Sequence, residues 1–292
     1  MAVSTNKEQL VVMAVGGCVA PPEVALGQFW NPYTPDTEGK AGIPIGMGGI
    51  VYNCRVGDPA YGWEADHVEP SVSISHPVVV HDYALHYLTC IGNEVIVKSG
   101  RAVGGKGVIT GEHGRLLADF EPYVMEQLSV GDLLLVKAKG RGLCFTSYPD
   151  IHIANSSPEF IESLDIRDQG DGIELPVAAE IPSYIMGSGV ELGSDFVDQD
   201  MMTGDREELA RLKIDQLRLG DLVALPNADH RFGRGYAAER VSIGIVIHGD
   251  SILTGHGPGV QTVMSAKRHR IHWRIDPSAN LADRMRIGHY LG

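Results

Sequence analysis

The sequence has no long apolar run and lacks the signature of a secreted protein. No apolar stretch in the 292 residues approaches the ~20 residues of a membrane-spanning helix. The apolar residues 10–15, ahead of Cys18, are also fewer than the roughly 7–15 residues of a signal-peptide core. We therefore expect a cytoplasmic protein that does not bind membranes.

Cysteine and positive charge are both scarce. The four cysteines (Cys18, Cys54, Cys90 and Cys144) form no CxxC pair, which excludes a zinc knuckle and a thioredoxin-type motif. Each lies among apolar neighbours and is interpreted as a reduced core thiol. The 24 Lys and Arg against 37 Asp and Glu give a net charge of −13, so the surface repels phosphate backbones and nucleic-acid binding is not expected.

Turn-forming residues are abundant. The 36 glycines and 16 prolines separate many short apolar runs, a pattern that favours strands over a helix bundle. We predict a mainly β (α+β) fold, with a barrel- or sandwich-like β core and a few short helices. The clearest helical patterns lie near residues 196–213 and 279–290.

An internal similarity suggests two β halves. Residues 127–134 (QLSVGDLL) and 216–223 (QLRLGDLV) share an apolar residue, a Gly-Asp turn and the start of a buried strand. This pattern fits two similar halves, residues 1–155 and 156–292. Two unrelated strand starts within one compact unit would fit equally well.

The segment 217–259 carries the densest candidate chemistry, beginning with the loop DHRFGRGY (229–236). A histidine beside a carboxylate, as in His230 after Asp229, can be oriented as a base or as a metal ligand. Arg234 lies between two glycines and could hold a carboxylate or phosphate. The alternative is a solvated hairpin loop with a surface ion pair.

The same segment ends in a second set of candidates. His248 and Asp250 follow an apolar strand, and His256 opens the turn GHGPG (255–259). Two histidines and a carboxylate could bind a divalent metal or transfer protons, and the amides of Gly257 and Gly259 could hold an anion. The spacing matches no defined metal signature, so plain structural turns compete with this interpretation.

Two further regions give weaker signals. Lys106 and His113 lie in a glycine-rich hairpin and its turn and could contact an anionic substrate. The spacing is not that of a phosphate loop, and a plain β-turn is the favoured interpretation. One irregular loop clusters oxygen donors with a histidine, which suits a metal, an acid–base pair or simple solvation: Asp58, Asp66, His67 and Glu69.

Several of these segments together resemble a known family. VGDPAYGWEADHVEPSVSI (56–74), KGVITGEHG (106–114), DHRFGRGY (229–236) and HGDS with GHGPGV (248–260) resemble a bacterial and archaeal family that is described as a domain of unknown function. The resemblance implies a largely β fold and one full-length unit, and it brings no activity. Residues 219–226 (LGDLVALP) and the later His-Gly turns are also similar to acetamidases/formamidases, metal-assisted amide hydrolases, without matching their metal motifs.

These observations favour a hydrolase of a small polar amide or cyclic amide. The expected catalytic residues are His230, Asp229, His248 and Asp250, and the expected substrate-binding residues are Arg234, Lys106, His113, Gly257 and Gly259. A divalent ion (Zn, Mg or Mn) on His230, His248 and His256 is the expected cofactor, with no nucleotide. We expect a small-molecule ligand and a homo-oligomer. A non-catalytic binding or assembly protein, and an isomerase or lyase that uses the same histidines, stay open.

Overall fold

The protein is mainly β, as the sequence predicts. The computed structural model describes residues 3–23, 34–36, 38–42, 46–189, 198–233 and 235–291. Strands account for 37% and helices for 16% of it, in two halves: a closed six-stranded barrel and a curled half-barrel sheet. The domain boundary at residue 155 stays a prediction.

The N-terminal half forms the barrel. Its described strands and helices are β1 (Met13–Val19), β2 (Thr34–Pro35), β3 (Ala41–Gly42), β4 (Ile50–Val51), β5 (Ser71–Ser75), α1 (Val79–Leu88), β6 (Glu94–Val97), β7 (Lys106–Glu112), β8 (Leu116–Phe120), α2 (Pro122–Met125) and β9 (Leu133–Ala138). The sheet runs β1-β9-β6-β7-β8-β5-β4, and a pairing between β1 and β5 closes six strands into a ring. Apolar side chains such as Val72, Val95 and Val136 fill its interior, since alternate residues of each strand face inward.

The C-terminal half is a curled sheet with a smaller one beside it. Its described elements are β10 (His152–Ile153), α3 (Pro158–Ser163), β11 (Arg167–Asp168), β12 (Ile173–Val177), β13 (Ala179–Glu180), β14 (Met186–Gly189), β15 (Gln199–Met201), α4 (Arg206–Leu212), β16 (Leu222–Ala228), β17 (Tyr236–Val246), β18 (Gly259–Lys267), β19 (Ile271–Ile275) and α5 (Leu281–Met285). The large sheet runs β13-β16-β17-β18-β15-β14, with β10 on β18, and β11-β12-β19 form the small sheet.

The helix predicted near residues 196–213 is shorter than its pattern indicates. The chain forms strand β15 at Gln199–Met201 before α4 begins at Arg206. Pairing explains the difference, because Gln199 lies opposite Val260 and Asp200 opposite Gly259 on β18. Sheet pairing in this segment outweighs the local helical tendency of its sequence.

A loop of the barrel half joins the two halves. Between β4 and β5 the chain hydrogen-bonds to the C-terminal half at several backbone positions: Gly57 to Leu219, Ala60 to Leu217, Asp250 to Ala60, His67 to Asp250 and Gly249 to Val68. The loop therefore runs alongside the segment that follows β17. This pairing brings the polar residues 66–69 against the second half.

Two features bear on the surroundings of the protein. Within the described ranges, no helix is long and apolar enough to span a membrane. The four cysteines are free thiols; Cys54 and Cys90 are buried, and Cys18 and Cys144 are partly buried.

Candidate metal centre

Four histidine rings converge where the two halves meet. The ring centroid of His67 lies 5.4 Å from that of His113, 5.0 Å from that of His248 and 5.3 Å from that of His256. The rings of His113 and His248 are 4.0 Å apart. These residues, distant along the chain, come together because the loop that carries His67 hydrogen-bonds to the segment that follows β17.

Each histidine follows or precedes a strand. His113 lies in the turn between β7 and β8, His248 follows β17 and His256 precedes β18. His67, in the loop before β5, adopts a positive φ of 49°. This backbone conformation is uncommon for a residue with a side chain, and such strain is concentrated at functional sites.

Two aspartates complete the cluster: Asp198, which immediately precedes β15, and Asp200 within it. Oδ2 of Asp198 lies 2.8 Å from Nε2 of His248. Oδ1 of Asp200 lies 3.3 Å from the same nitrogen, and its Oδ2 lies 2.6 Å from Nδ1 of His256 and 3.4 Å from Nε2 of His67. Both carboxylates face His248 because residues two apart in an extended segment point to the same side.

Three of the histidines are anchored through Nδ1. That atom lies 2.9 Å from Asp66 Oδ2 in His67, 2.9 Å from Glu69 Oε1 in His113 and 2.8 Å from the Gly249 carbonyl oxygen in His248. Each partner only accepts, so Nδ1 carries the hydrogen and Nε2 of a neutral ring keeps its lone pair. Histidines that bind metals are oriented in this way by an acceptor behind the ring.

The anchoring carboxylates are themselves fixed. Asp66 Oδ1 accepts hydrogen bonds from the Ser251 hydroxyl and the Ile252 amide. Glu69 Oε2 accepts from the Ser73 hydroxyl and the Gly48 amide. Both carboxylates are buried, and their hydrogen bonds fix the orientation of the rings that they anchor.

The contact between His248 and Asp198 favours a cation between the two side chains. Nε2 of His248 and Oδ2 of Asp198 are buried and, within the described residues, have no hydrogen-bond partner. With the hydrogen of His248 on Nδ1, two lone-pair atoms face each other at 2.8 Å. A proton or a metal ion between them would remove the repulsion and the cost of leaving buried polar atoms unsatisfied.

The electrostatics also favour positive charge. Burial lowers the pKa of His248, but Asp198 and Asp200 outweigh it and raise the pKa well above 6.5. Burial alone would raise the pKa of Asp200, but the neighbouring His248, His256 and His67 outweigh it and lower the pKa. The pKa of His67 is raised because Asp200 and Asp66 outweigh its burial. The carboxylates therefore hold protons on the rings until another cation replaces them.

A glycine makes room for the cluster. A Cβ atom on Gly259 would lie 1.8 Å from Oδ2 of Asp198 and 2.1 Å from Nε2 of His248. Gly257 is similarly confined, with a Cβ position 2.1 Å from the Met201 carbonyl oxygen. Only glycine therefore fits beside the facing donor atoms.

The cluster is more open on one side. The His67 and His248 side chains are buried, whereas those of His113 and His256 keep 16% and 30% of their surface exposed. A cleft of about 860 Å³ borders this region and is lined by Asp250 and Gly255, with Trp63, Tyr184 and Arg206 further along its wall. A small molecule in this cleft would contact Asp250 and Gly255, the residue before His256.

The structure brings together part of the predicted site. His113, His248, His256 and Gly259 lie in the cluster, as does His67 of the polar loop. Asp250 lies at its edge, where it accepts hydrogen bonds from Thr203 and Arg206.

Other predicted residues lie elsewhere or are occupied. Asp229 is bound by Arg231 and Arg240, and Nδ1 of the buried His230 ring lies 3.5 Å from Thr262 Oγ1. Lys106 forms an exposed ion pair with Glu94 on the barrel surface. Arg234 lies outside the described residues. His230 does not belong to the two groups of possible metal ligands among the described residues.

Asp198 and Asp200 were missed as site residues because their segment has a helical pattern. The signal that could have identified them is the sequence Asp198-Gln199-Asp200, which places both carboxylates on one face if the segment is a strand. Arg115, 3.7 Å from Glu69 through Nη1, was also missed.

The fold and the site define a two-part β protein with a buried histidine–carboxylate centre. The chain belongs to the family described as domain of unknown function DUF4438: its N-terminal domain matches residues 33–162 and its C-terminal domain residues 163–285. The chain is similar to the crystal structure of TM1086, with 40% sequence identity and a TM-score of 0.90 over 97% of this chain and 99% of that one. No curated protein matches the chain. The predicted resemblance to such a family is confirmed; the likeness to acetamidases stays a prediction.

Proposed function

We propose that the chain is a metal-dependent hydrolase of a small polar amide or cyclic amide. The observation that carries the proposal is the shared orientation of three histidines, each fixed through Nδ1 by Asp66, Glu69 or the Gly249 carbonyl oxygen. Nε2 of His67 and His248 faces the carboxylates of Asp198 and Asp200. Side chains arranged in this way form a metal site in which both the ligands and the groups behind them are in place.

The donor set favours a transition metal. Imidazole nitrogens with carboxylate oxygens suit Zn²⁺ or Mn²⁺, whereas Mg²⁺ prefers oxygen ligands and water. Among the ions that the sequence suggests, Zn²⁺ and Mn²⁺ therefore fit this site better than Mg²⁺. A bound ion would supply Lewis acidity and a water of lowered pKa.

The partly exposed side of the cluster supports catalysis over a purely structural role. Structural zinc sites are closed by four protein ligands, whereas catalytic sites keep a position for water or substrate. His113 and His256 are exposed in part, and the cleft lined by Asp250 and Gly255 has room for a small polar molecule. In hydrolysis, water would add to the amide carbonyl, the C–N bond would break and the amine would leave with a proton.

The proposal reassigns the chemistry predicted for Asp229 and His230. The Asp229 carboxylate is already paired with two guanidinium groups, so it is poorly placed to orient a base. Asp198 and Asp200 take the role of the carboxylates beside the histidines.

The test begins with the metal content of protein purified without added metal. Plasma mass spectrometry should find bound Zn²⁺ or Mn²⁺, and the metal-loaded protein should hydrolyse members of a panel of small linear and cyclic amides. His248→Ala should lose both metal and turnover, while the matched control His269→Ala, at an exposed histidine, should keep both. Metal without hydrolysis would favour a binding protein, an isomerase or a lyase. Protein that binds no metal, even when metal is added, would refute the proposal.

We also infer a cytoplasmic homo-oligomer. Four free thiols suit a reducing compartment. Large apolar side chains of the barrel half are exposed and would be covered by association, including Val11 before β1 and Val79 and Val80 at the start of α1. Light scattering coupled to gel filtration would give the number of subunits.

A further inference from the structure

We propose that the cluster holds two metal ions, with the carboxylate of Asp200 bridging them. This inference rests on the proposed function and deepens it by specifying how many ions the site takes. Among the described residues, the candidate ligands fall into two groups whose donor atoms lie within 4.8 Å of one another: His113, Asp198 and His248 in one, and His67, Asp200 and His256 in the other. Each group offers two nitrogens and one carboxylate oxygen.

The orientation of Asp200 supports a bridge. Its Oδ1 faces Nε2 of His248, which belongs to the first group, at 3.3 Å. Its Oδ2 faces the second group, at 2.6 Å from His256 Nδ1 and 3.4 Å from His67 Nε2. A carboxylate whose two oxygens face different sets of histidines can bind one ion through each oxygen.

The proximity of the two groups fits a pair of ions. The rings of His113 and His248 in the first group lie 5.4 Å and 5.0 Å from the His67 ring of the second. Metal ions in two-metal sites lie about 3.5–4 Å apart and share a bridging ligand. Ligand sets this close could not hold two independent, fully hydrated ions, so a shared carboxylate is the arrangement that the geometry favours.

The buried charge also matches two ions better than one. Arg115, shared between Glu69 and the exposed Glu23, offsets part of the charge of Glu69, and the buried Asp66, Asp198 and Asp200 face histidines that must be neutral to bind a metal. One divalent ion would leave one of these three carboxylates uncompensated. Two divalent ions with one bridging hydroxide would cancel all three, which avoids the cost of an uncompensated buried charge.

The two groups also differ in exposure, which predicts unequal affinities. The first contains the fully buried His248, whereas the second contains His256, with 30% of its side chain exposed. The second ion should therefore bind more weakly and be removed first by a chelator. Structural data with one ion alone would then place it on His113, Asp198 and His248.

The experiment counts ions per chain in the full protein after loading with Mn²⁺ or Zn²⁺ and removal of unbound metal. We expect two ions in the wild type and in the control His269→Ala, and one in His256→Ala and in His113→Ala. Electron paramagnetic resonance of the Mn²⁺ form should show the multiline signal of exchange-coupled ions in the wild type, and that of isolated ions in His256→Ala.

The outcomes separate this inference from the proposed function. One ion per wild-type chain, lost in both His113→Ala and His256→Ala, would overturn the two-metal site and leave a mononuclear hydrolase possible. No bound ion would overturn both. If His256→Ala does not fold, His256→Gln provides the same count, since it also removes the ring nitrogen.

Discussion

The position of Gly259 makes it the most sensitive backbone residue of the site. Since a Cβ atom here would overlap Oδ2 of Asp198 and Nε2 of His248, Gly259→Ala must push these donor atoms apart. We expect metal-dependent turnover to fall by roughly 100-fold or more, as misplacing reacting groups by about 1 Å does. Metal content and rate per folded molecule, with folding checked by circular dichroism, measure the effect.

Gly16 provides the matched control. It lies in β1, and a Cβ added there meets no atom within 4 Å. Gly16→Ala should keep metal and rate near wild type. Equal behaviour of the two variants would show that Gly259 does not border the reacting groups.

A substitution of Asp66 tests whether the acceptor at Nδ1 orients the histidine ring for metal binding. Its Oδ1 accepts from Ser251 and Ile252, so in Asp66→Asn the amide oxygen would stay there and the NH₂ group would face His67 Nδ1. The ring would then accept at Nδ1 and carry its hydrogen on Nε2, which faces the cluster. We expect metal affinity to fall about 10–100-fold, as measured by competition with a chelating dye.

An aspartate–histidine pair outside the cluster provides the control for Asp66→Asn. Oδ1 of Asp58 lies 2.7 Å from Nδ1 of His289, close to the geometry of Asp66 with His67. Asp58→Asn should leave the metal affinity unchanged. An affinity in Asp66→Asn as high as in Asp58→Asn would contradict the orienting role of Asp66.

At the scale of elements, the two Gly-Asp turns seen in the sequence have the same structure. Gly131 and Gly220 have φ values of 87° and 90°. In each turn the aspartate that follows accepts, through Oδ2, the amide of the residue three positions before it, at 2.9 Å for Asp132 and 2.7 Å for Asp221. The glycine and the aspartate also bond to the end of a neighbouring strand, at Val19 in the barrel and Val246 in the curled sheet.

The equivalent turns should nevertheless respond differently to substitution. At Gly131 an added Cβ meets no atom within 4 Å, so Gly131→Ala should cost about 1 kcal/mol, from the positive φ alone. At Gly220 the Cβ would lie 2.7 Å from Val56 Cγ1 and 3.0 Å from Asn280 Oδ1, which should add about 1–3 kcal/mol. Urea unfolding of the two variants measures the difference. Equal losses would show that the contact with Val56 relaxes at little cost.

Local patterns predict the strands of this protein better than its helices. Alternating apolar residues indicate strand β5, and short continuous apolar runs indicate β8 and β16. Residues 196 and 197 of the predicted helix lie outside the described residues. Of residues 198–213, only Arg206–Leu212 forms an α-helix, since β15 gains a partner in β18 that no local pattern reveals. Because this segment was predicted to be a helix, Asp198 and Asp200 were not identified as site residues.

At the scale of the whole molecule, the site depends on contacts that sequence spacing does not show. His113, His248 and His256 could be proposed because each lies beside a glycine in a turn after or before a strand. Their convergence with His67 requires the pairing of the loop before β5 with the segment after β17. His230 looked equally plausible, but Arg231 and Arg240 bind the carboxylate that would have oriented it.

The pH dependence of stability should distinguish metal-free from metal-loaded protein. Asp198 and Asp200 raise the pKa of His248 above 6.5, and Asp200 and Asp66 do the same for His67, in each case against the effect of burial. In the metal-free protein this stabilisation is fully present below about pH 6.5 and is lost as the pH rises through the raised pKa values. A bound metal requires neutral rings, so its binding strengthens over the same range. The increase in Tm on adding Zn²⁺ or Mn²⁺ should therefore grow from about pH 6 to about pH 9.

Two other buried carboxyls titrate in a similar pH range. Their contribution to Tm must be separated from that of the histidines. Burial raises the pKa of Asp221 to about 6 and that of Glu112 to about 7, so both also lose native stability as the pH rises. Asp221 lies in the turn before β16 and should affect both forms alike, so its effect cancels in the difference between their Tm values. In His248→Gln that difference should be small at every pH. A metal-induced increase in Tm that is large at pH 6 and does not grow toward pH 9 would show that the ion binds without displacing protons from these histidines.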